Sequence, residues 1–340
     1  MIMPTTLKAG ALFSGIGGFC LGFEKAGVKT TWAIENDIAA VTTYSKNIDR
    51  PNVICDESGP VSILDIGVQK NKLEPVDILH AGFPCQSFST AGERKGFQDP
   101  RGMLFYEIIR LINEFGDQKP SVIVLENSPN LKNGDGGSWF LELTKQIKKA
   151  GYWFRDSNAF ELDAYDYTHV PQNRNRLFMI AFSADEFRNG RLDLKLNLHN
   201  SQKDLRKFIE FDGVIDDDYY YLDEDNRYHK MISEKENDRY CIYQLRKYLV
   251  RVKDPGVCPT LTANMGLGGH NVPFIFDKKG LRKLTETECL KLQGFPDWYK
   301  FPEEVTRPKR YQQVGNSVVP VLIEKIAKAV KEKIETERNK

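Results

Sequence analysis

The stretch Ala11-Leu-Phe-Ser-Gly-Ile-Gly-Gly-Phe19 sets the expected architecture, because an apolar run meets a glycine-rich turn there. Ala11–Ser14 has the character of a buried strand, and residues 17–27 have helical spacing. Glycines let the backbone approach a ligand closely, and a helix N-terminus favours polar or anionic groups. The stretch therefore predicts a strand–turn–helix unit that can hold a small molecule, with an ordinary tight turn as the alternative.

Short apolar runs alternate with amphipathic stretches through the rest of the first half of the chain. The predicted strands are Ala11–Ser14, Thr31–Glu35, Val76–His80, Ser121–Glu126 and Arg176–Phe182, and the predicted helices are residues 17–27, Met103–Phe115 and Trp139–Ile147. This alternation predicts an α/β fold with a Rossmann-like, doubly wound and mostly parallel sheet.

Length and composition agree with a globular protein that has one large domain and one smaller domain. The 340 residues, 41% hydrophobic and 28% charged, exceed the roughly 100–200 residues of a typical domain. No apolar run approaches the ~20 residues of a membrane span, and the N-terminus lacks a signal-peptide layout, so we expect a cytoplasmic protein. The six cysteines include no Cys-x-x-Cys pair and the five histidines are scattered, so we expect neither a zinc site nor a disulfide framework.

The pattern changes after about residue 184, where charge becomes unevenly distributed although the net charge is only +1. Residues 210–225 hold eight acidic and no basic side chains, whereas residues 238–258 hold five basic and two acidic ones. A closing amphipathic helix is predicted over residues 320–334. We therefore expect a large domain over residues 1–184, completed by 305–340, and a second, smaller and irregular domain with a hinge over 185–304.

An acid follows the glycine-rich turn at the distance expected for a nucleoside ligand. Glu35 ends the next predicted strand, 20 residues after Gly15, where an acid binds ribose hydroxyls in nucleotide-type folds. The glycines run Gly-x-Gly-Gly rather than Gly-x-Gly-x-x-Gly. The pattern predicts a nucleoside cofactor without separating a nicotinamide cofactor from S-adenosylmethionine.

A cysteine follows another predicted strand, in Gly82-Phe-Pro-Cys-Gln-Ser-Phe-Ser89. The carboxyl end of a parallel strand is where open α/β sheets bind ligands, although a lone cysteine is more often a buried structural thiol. The flanking Pro84 and Gln86 indicate a turn. The polar stretch 87–102 that follows carries three basic residues and is typical of a mobile loop that meets phosphates.

These motifs and several others, in the same order, resemble those of DNA cytosine-5 methyltransferases of the bacterial or phage, restriction-modification type. The shared motifs are Phe13–Phe19, Glu35, Asp65-Ile66, Gly82–Ser89 with Gly96–Gly102, Glu126-Asn127, Gln172-x-Arg174-x-Arg176, Arg282-Lys-Leu-Thr to Leu292-Gln-Gly-Phe-Pro296, and Gly315-Asn-Ser-Val-Val-Pro320. The resemblance spans about residues 10–182 and 255–322. One departure is Ser128, where the family often has valine.

The resemblance implies the class I S-adenosylmethionine-dependent methyltransferase fold, with S-adenosyl-L-methionine as methyl donor and no metal. It makes residues 1–184 with 305–340 the catalytic and cofactor-binding domain and residues 185–304 the target-recognition domain and hinge. The implied cofactor contacts are Phe13, Gly15, Ile16, Gly17, Gly18, Glu35, Asn36, Asp65, Ile66, Leu104, Asn316 and Val318.

The resemblance also implies a covalent mechanism on a cytosine flipped out of duplex DNA. Cys85 would be the nucleophile and Glu126 the acid at ring nitrogen 3, with Arg176 orienting Glu126 and Arg174 holding the pocket. Without the resemblance, Glu126 is an ordinary strand-end acid and the arginines are surface charges. The expected DNA contacts are Ser87, Arg94, Arg101, Arg239, Arg246 and Arg251, although a solvated helix face would also explain the basic segment. We expect a monomer, with any cognate restriction endonuclease acting separately.

Three rival functions remain distinct from this one. A tRNA cytosine-5 methyltransferase on the same scaffold typically carries a Cys-Phe-Thr triplet in the second domain, and this chain has none. A catalytically inactive DNA-binding regulator has no need of Cys85, Glu126 and Arg176. A nicotinamide oxidoreductase leaves the cysteine loop and the paired arginines unexplained.

Overall fold

The structure is a computed structural model that describes residues 6–49, 52–56, 59–84, 100–235, 240–246, 249–266 and 271–340. For residues 52–56, 59, 60, 100 and 101, only the backbone is described. The chain divides into two compact units. Unit 1 contains the described parts of Met1–Leu162, Asn175–Leu196 and Leu322–Lys340, and unit 2 contains those of Asp163–Arg174 and Asn197–Val321.

Nine strands form the large sheet within the described residues. They are β1 (Lys8–Leu12), β2 (Lys29–Ile34), β3 (Asn52–Asp56), β4 (Gly59–Pro60), β5 (Ile78–Gly82), β6 (Val122–Asn127), β7 (Tyr152–Trp153), β8 (Ala159–Asp163) and β9 (Asn175–Ser183). Their order is β4-β3-β2-β1-β5-β6-β9-β7, with β8 also paired to β9. Along this order, the strands from β3 to β6 are mutually parallel, and β9 runs antiparallel to β6.

This strand order places a topological switch point between β1 and β5. The chain builds outward from β1 through β2 to β3 and then returns to the other side of β1 as β5. Open α/β sheets bind ligands at the carboxyl ends of the two strands that flank such a point. The turn after β1 and the segment after β5 are the two predicted site motifs, and both leave the sheet there. The predicted Rossmann-like, mostly parallel fold is confirmed.

The described residues also contain ten α-helices. They are α1 (Gly18–Lys25), α2 (Ile38–Asn47), α3 (Pro100–Glu114), α4 (Asn130–Asn133), α5 (Ser138–Lys149), α6 (Ala164–Tyr167), α7 (Arg227–Ser233), α8 (Glu286–Leu292), α9 (Arg307–Asn316) and α10 (Pro320–Arg338). The largest cluster of buried apolar residues joins the sheet to α3 and α5, through side chains such as Phe105, Ile108 and Leu143. No helix in the described part of the chain is long and apolar enough to cross a membrane.

One predicted strand boundary is wrong in an informative way. The apolar run suggested a strand through Ser14, but β1 ends at Leu12. Phe13 has a φ of 53°, in the left-handed region that a phenylalanine rarely adopts. The backbone therefore leaves the sheet two residues before Gly15, the first glycine of the turn, and Phe13 already belongs to the turn.

Unit 2 is less irregular than its sequence suggested, because it contains a four-stranded antiparallel sheet. The strands are β10 (Tyr243–Leu245), β11 (Val250–Val252), β12 (Pro273–Phe276) and β13 (Leu281–Lys283), in the order β11-β10-β12-β13. Buried residues of α7 and of these strands form a separate core cluster. The described part of the basic segment is thus a hairpin rather than a helix face.

The two compact units are defined by contacts, and their boundaries differ from those of the predicted functional domains. Residues 185–196 belong to unit 1, whereas residues 163–174 and 305–321 belong to unit 2. The expected division into a catalytic domain and a target-recognition domain concerns what the segments do. It stays a prediction.

Candidate active site

The turn after β1 has an alternating left-handed backbone. Phe13, Gly15 and Gly17 have φ angles of 53°, 54° and 79°. The Ser14 amide donates to the carbonyl of Ile34 at 3.1 Å, and the Gly17 amide donates to the carbonyl of Ser14 at 2.9 Å. These two bonds tie the turn to the end of β2 and close it upon itself before α1 begins.

Glu35 links this turn to the start of α2. Its Oε2 accepts the Gly15 amide at 2.8 Å, and its Oε1 accepts the amides of Asn36 and Asp37, each at 2.8 Å. Burial raises the pKa of Glu35, and the three amide donors oppose that shift. A carboxylate oxygen that accepts one amide still has a lone pair, so Glu35 can also accept hydroxyl groups of a ligand.

The residues of the turn fit a small polar ligand. Apart from its chain neighbours, a Cβ added at Gly15 would meet no atom of the described residues within 4 Å, so these residues leave open space directly over the turn. The Ser14 hydroxyl is buried and makes no hydrogen bond within the described residues. Gly17 differs, because a Cβ there would lie 2.2 Å from Cδ1 of Ile48. One glycine therefore leaves room for a ligand, and the other permits close packing.

Two further predicted cofactor residues lie on the turn between β4 and β5. Asp65 is exposed, and Ile66 is buried with its side chain in the core of unit 1. The carboxylate of Asp65 makes no hydrogen bond within the described residues and is available as an acceptor. Leu104 is half-buried on α3 and packs against the same core cluster.

The predicted acid Glu126 lies beside the segment that leads to Cys85. Glu126 is the register partner of Gly82 in the parallel pair β5–β6. A Cβ on Gly82 would be 3.4 Å from Oε2 of Glu126, so the carboxylate lies over that glycine. Asn127 is fully buried, and its Nδ2 donates to the carbonyl of Phe83 at 3.2 Å. Cys85 itself lies outside the described residues.

Arg176 pairs with Glu126 across the antiparallel strands. Nε of Arg176 is 3.0 Å from Oε1 of Glu126, and Glu126 is 9% exposed. The register pairs Glu126 with Phe178, so Arg176 lies two residues along on the same face of the sheet. The sheet therefore holds this carboxylate between a cation and the backbone of Gly82.

Arg174 is committed to backbone carbonyls of unit 2. Its Nη1 donates to Leu261 at 2.9 Å, and its Nη2 donates to Gly315 at 2.9 Å and to Ser317 at 2.5 Å. Arg174 is 2% exposed, and its three hydrogen bonds join it to two segments of unit 2, while its predicted role of holding the pocket stays a prediction. One of these segments, the end of α9 and the residues after it, carries the predicted cofactor residues Asn316, which is exposed, and Val318, which is buried.

The predicted DNA-contacting residues are only partly described. Ser87, Arg94 and Arg239 lie outside the described residues, and the side chain of Arg101 is not described. Arg246 and Arg251 lie on the β10–β11 hairpin, which the Arg246 amide helps to close by donating to the carbonyl of Leu249 at 2.7 Å. Neither guanidinium has a carboxylate within 4.0 Å among the described residues.

Two polar groups of the site had no role in the sequence-based interpretation. In the sequence, Asn127 is part of a motif only as the neighbour of Glu126. The signal that could have identified it is a side-chain amide at the end of an apolar strand. Ser14 lies inside the glycine-rich turn, directly before Gly15, and the hydroxyl at that position was the signal in the sequence. Both are buried: Ser14 follows β1 at the switch point, and Asn127 ends the neighbouring strand β6.

Comparison with known proteins agrees with this geometry. The family model for C-5 cytosine-specific DNA methylases matches residues 7–332. The chain is 38% identical over 327 residues to the type II methyltransferase M.Bsp6I of Bacillus sp. (strain RFL6), covering 95% of this chain and 98% of that protein. It is 31% identical over 337 residues to the type II methyltransferase M.HhaI of Haemophilus parahaemolyticus, covering 95% and 94%.

Solved structures are similar in fold. The Entamoeba histolytica methyltransferase EhMeth aligns with a TM-score of 0.73 at 17% identity, covering 97% of this chain and 99% of that chain. A Spodoptera frugiperda DNMT2 mutant aligns with a TM-score of 0.69 at 19% identity, covering 96% and 99%.

The fold and the family match together define a class of enzyme, the methyltransferases. The chain belongs to the C-5 cytosine-specific DNA methylase family, whose members methylate carbon 5 of cytosine in DNA. The relatives that match most of its length are DNA-modifying type II methyltransferases, which does not favour the tRNA alternative.

Proposed function

We propose that this enzyme methylates a cytosine flipped out of a short, specific duplex DNA sequence, through a covalent adduct with Cys85. The observation that carries the mechanism is the position of Glu126. Its carboxylate lies over Gly82 and against Arg176, beside the backbone that leads through Phe83 and Pro84 to the cysteine. An acid held there can act on the same ring that the thiolate attacks.

S-adenosyl-L-methionine is the proposed methyl donor and supplies a sulfonium methyl group when bound. Phe13, Gly15 and the residues Ile16, Gly17 and Gly18 would hold its methionine side, where the open space over Gly15 supports the assignment. Glu35 would accept the ribose hydroxyls, and Asn36 would flank the adenine. Asp65 would accept from the adenine amino group, and Ile66 would pack on the ring. Leu104, Asn316 and Val318 complete the proposed set.

The protein side chains divide the chemistry between a nucleophile and an acid. The Cys85 thiolate adds to carbon 6 of cytosine, and the electron density that builds on the ring is neutralised by a proton from Glu126 at nitrogen 3. Arg176 fixes the direction of the Glu126 carboxyl and can contact the base carbonyl. After methylation, a base removes the proton on carbon 5, and the bond between Cys85 and carbon 6 breaks. The ring double bond then re-forms, and nitrogen 3 returns its proton to Glu126.

Duplex DNA is the proposed substrate form, and a flipped base is required because carbon 5 chemistry is blocked inside the stack. The β10–β11 hairpin supports DNA contact by unit 2. Burial lowers the pKa of Arg246, and the neighbouring cation of Arg251 lowers it further. Two arginines with no acid close by among the described residues favour an anionic partner, which the phosphates supply. The enzyme would act as a monomer, and any restriction endonuclease of the same specificity would act separately.

The experiment is a methylation assay with labelled S-adenosylmethionine on duplex DNA and, in parallel, on tRNA. We expect label in the DNA alone, at cytosines that resist bisulfite conversion and share one short sequence. Label in tRNA alone would contradict the proposed substrate. Nicotinamide turnover without any methyl transfer would contradict the reaction itself.

A further inference from the structure

The turn that carries Asp65 is fixed from outside by Arg110, a residue of α3 that belongs to none of the motifs above. Nη2 of Arg110 donates to the carbonyl oxygens of Ile63 at 3.0 Å and of Ile66 at 2.9 Å. These two carbonyls flank Asp65 in the chain. Arg110 therefore sets the backbone on both sides of an exposed carboxylate.

Two glutamates bind the Arg110 guanidinium, and one of them also binds the turn. Glu107 accepts from Nε at 2.7 Å, and Glu114 accepts from Nη1. Oε2 of Glu114 also accepts the Val68 amide at 2.9 Å, so the same network reaches the far end of the turn. The Arg110 side chain is 33% exposed, so its ion pairs contribute little alone. The planar guanidinium donates to both carbonyls through Nη2 while Nε and Nη1 bind the two carboxylates, and a different cation cannot reproduce this fork of donors.

We propose that Arg110 is a positioning residue for the adenine end of the cofactor site. The inference rests on the proposed function, in which Asp65 accepts from the adenine amino group and Ile66 packs on the ring. A turn that moves freely must be ordered when the ligand binds, and that ordering weakens the affinity. Arg110 orders the turn beforehand without touching the ligand.

The test measures binding of S-adenosylmethionine and of adenosine by calorimetry to wild type, Arg110→Met, Arg110→Lys and Arg338→Met. Methionine keeps the aliphatic stem but donates no hydrogen bond, and lysine keeps the charge without the fork. Arg338→Met is the matched control. Arg338 is 38% exposed and lies 2.7 Å from both Asp77 and Glu186, at the amino end of β5.

We expect Arg110→Met to weaken both ligands about tenfold and by the same factor, because the loss is at the adenine end that they share. Arg110→Lys should weaken them severalfold, and Arg338→Met should bind like wild type. In steady-state assays, Arg110→Met should raise the KM for S-adenosylmethionine and leave kcat at saturating cofactor unchanged. If Arg110 only stabilised the fold, Arg110→Met would lower the Tm without raising the KM at unchanged kcat.

Wild-type affinity for both ligands in Arg110→Met would overturn the inference. Should Arg110→Met fail to fold, Arg110→Lys decides, and unchanged affinity there overturns the inference as well. Loss of affinity in Arg338→Met equal to that in Arg110→Met would also contradict it, since a general loss of stability would then explain both. Wild-type protein that binds neither ligand contradicts the proposed function instead.

Discussion

At the residue scale, the contacts of Glu126 are the strongest structural support for the proposed chemistry. It is nearly buried, 3.0 Å from Nε of Arg176, and it lies over a glycine rather than over a side chain. A Cβ at Gly82 would be in van der Waals contact with the carboxylate, 3.4 Å from Oε2. The same strand end supplies Asn127, which holds the carbonyl of Phe83. The proposed acid and the backbone of Phe83, which precedes the proposed nucleophile, are thereby linked to adjacent residues of one strand.

Replacing Glu126 by glutamine should separate binding from chemistry. The amide keeps the size of the side chain but cannot supply a proton to ring nitrogen 3, so we expect Glu126→Gln to lower single-turnover methylation about 100-fold or more. Affinity for S-adenosylmethionine should stay within about twofold, because the cofactor contacts are elsewhere. Rapid-quench methylation and calorimetry measure the two quantities. A variant with the wild-type single-turnover rate would make Glu126 a bystander.

His80 makes the stability of unit 1 depend on pH. Its ring is 1% exposed and stacks against both Phe19 and Phe23, with each pair of centroids 5.0 Å apart. Burial lowers the pKa of His80 to about 3. The unfolded chain then binds a proton that the folded chain does not, so stability falls as pH drops from about 6.5 towards 3.

His80→Phe should remove this part of the pH dependence while keeping the aromatic stack. Between pH 7.5 and 5.5, we expect wild type to lose about 1 kcal/mol more unfolding free energy than the variant. Urea unfolding at the two pH values measures the difference. Parallel stability profiles for the two proteins would show that His80 is not the titrating group.

At the scale of elements, the glycine-rich turn offers a matched pair of substitutions. Gly15→Ala places a methyl group in open space, whereas Gly17→Ala drives it to 2.2 Å from Ile48. Both positions have positive φ, which costs alanine about 1 kcal/mol. Gly15→Ala should therefore fold with a modest loss of stability and bind S-adenosylmethionine much more weakly. Gly17→Ala should lose clearly more stability in thermal unfolding. The opposite order of stabilities would contradict the assigned roles.

If the β10–β11 hairpin contacts DNA phosphates, the salt dependence of the affinity for DNA should show it. Each phosphate contact contributes about 0.9 to the slope of log affinity against log salt, so Arg246→Ala and Arg251→Ala should each lower that slope by about one. Lys230→Ala is the control, because Lys230 is already paired with Asp225 at 2.9 Å. Fluorescence anisotropy with duplex DNA over a range of salt concentrations measures the slopes. Equal slopes for all four proteins would exclude the hairpin from the phosphate contacts.

At the scale of the whole molecule, the sequence predicted the central strands because their signal is local. Buried strands are continuous apolar runs, so the sequence predicted the centres of the parallel strands β1, β2, β5 and β6 and of the antiparallel strand β9. Strands with a weaker local signal were missed. The strand β7 has two residues and pairs with the distant β9, and the strands of the unit 2 sheet have only three or four residues each.

The candidate site was predictable in its motifs but not in its contacts. The family resemblance supplied Glu126 and Arg176, yet their 3.0 Å separation follows from the antiparallel pairing of β6 with β9. Arg174 looked like its neighbour Arg176 in sequence, and the structure commits its donors to backbone carbonyls instead. Arg110 had no sequence signal, because a helical arginine between two glutamates is typical of a solvated surface.

The measurement that tests the mechanism most directly is covalent trapping on DNA that carries 5-fluorocytosine at the target position. Fluorine cannot leave carbon 5 as a cation, so the elimination that frees the enzyme is blocked and the adduct accumulates. Wild type with S-adenosylmethionine should give a stable protein–DNA complex. A tryptic peptide containing Cys85 should carry the added nucleotide mass. Cys85→Ser should bind cofactor and DNA, form no adduct and methylate nothing detectable. An adduct on another cysteine, or methylation by Cys85→Ser at the wild-type rate, would contradict the account.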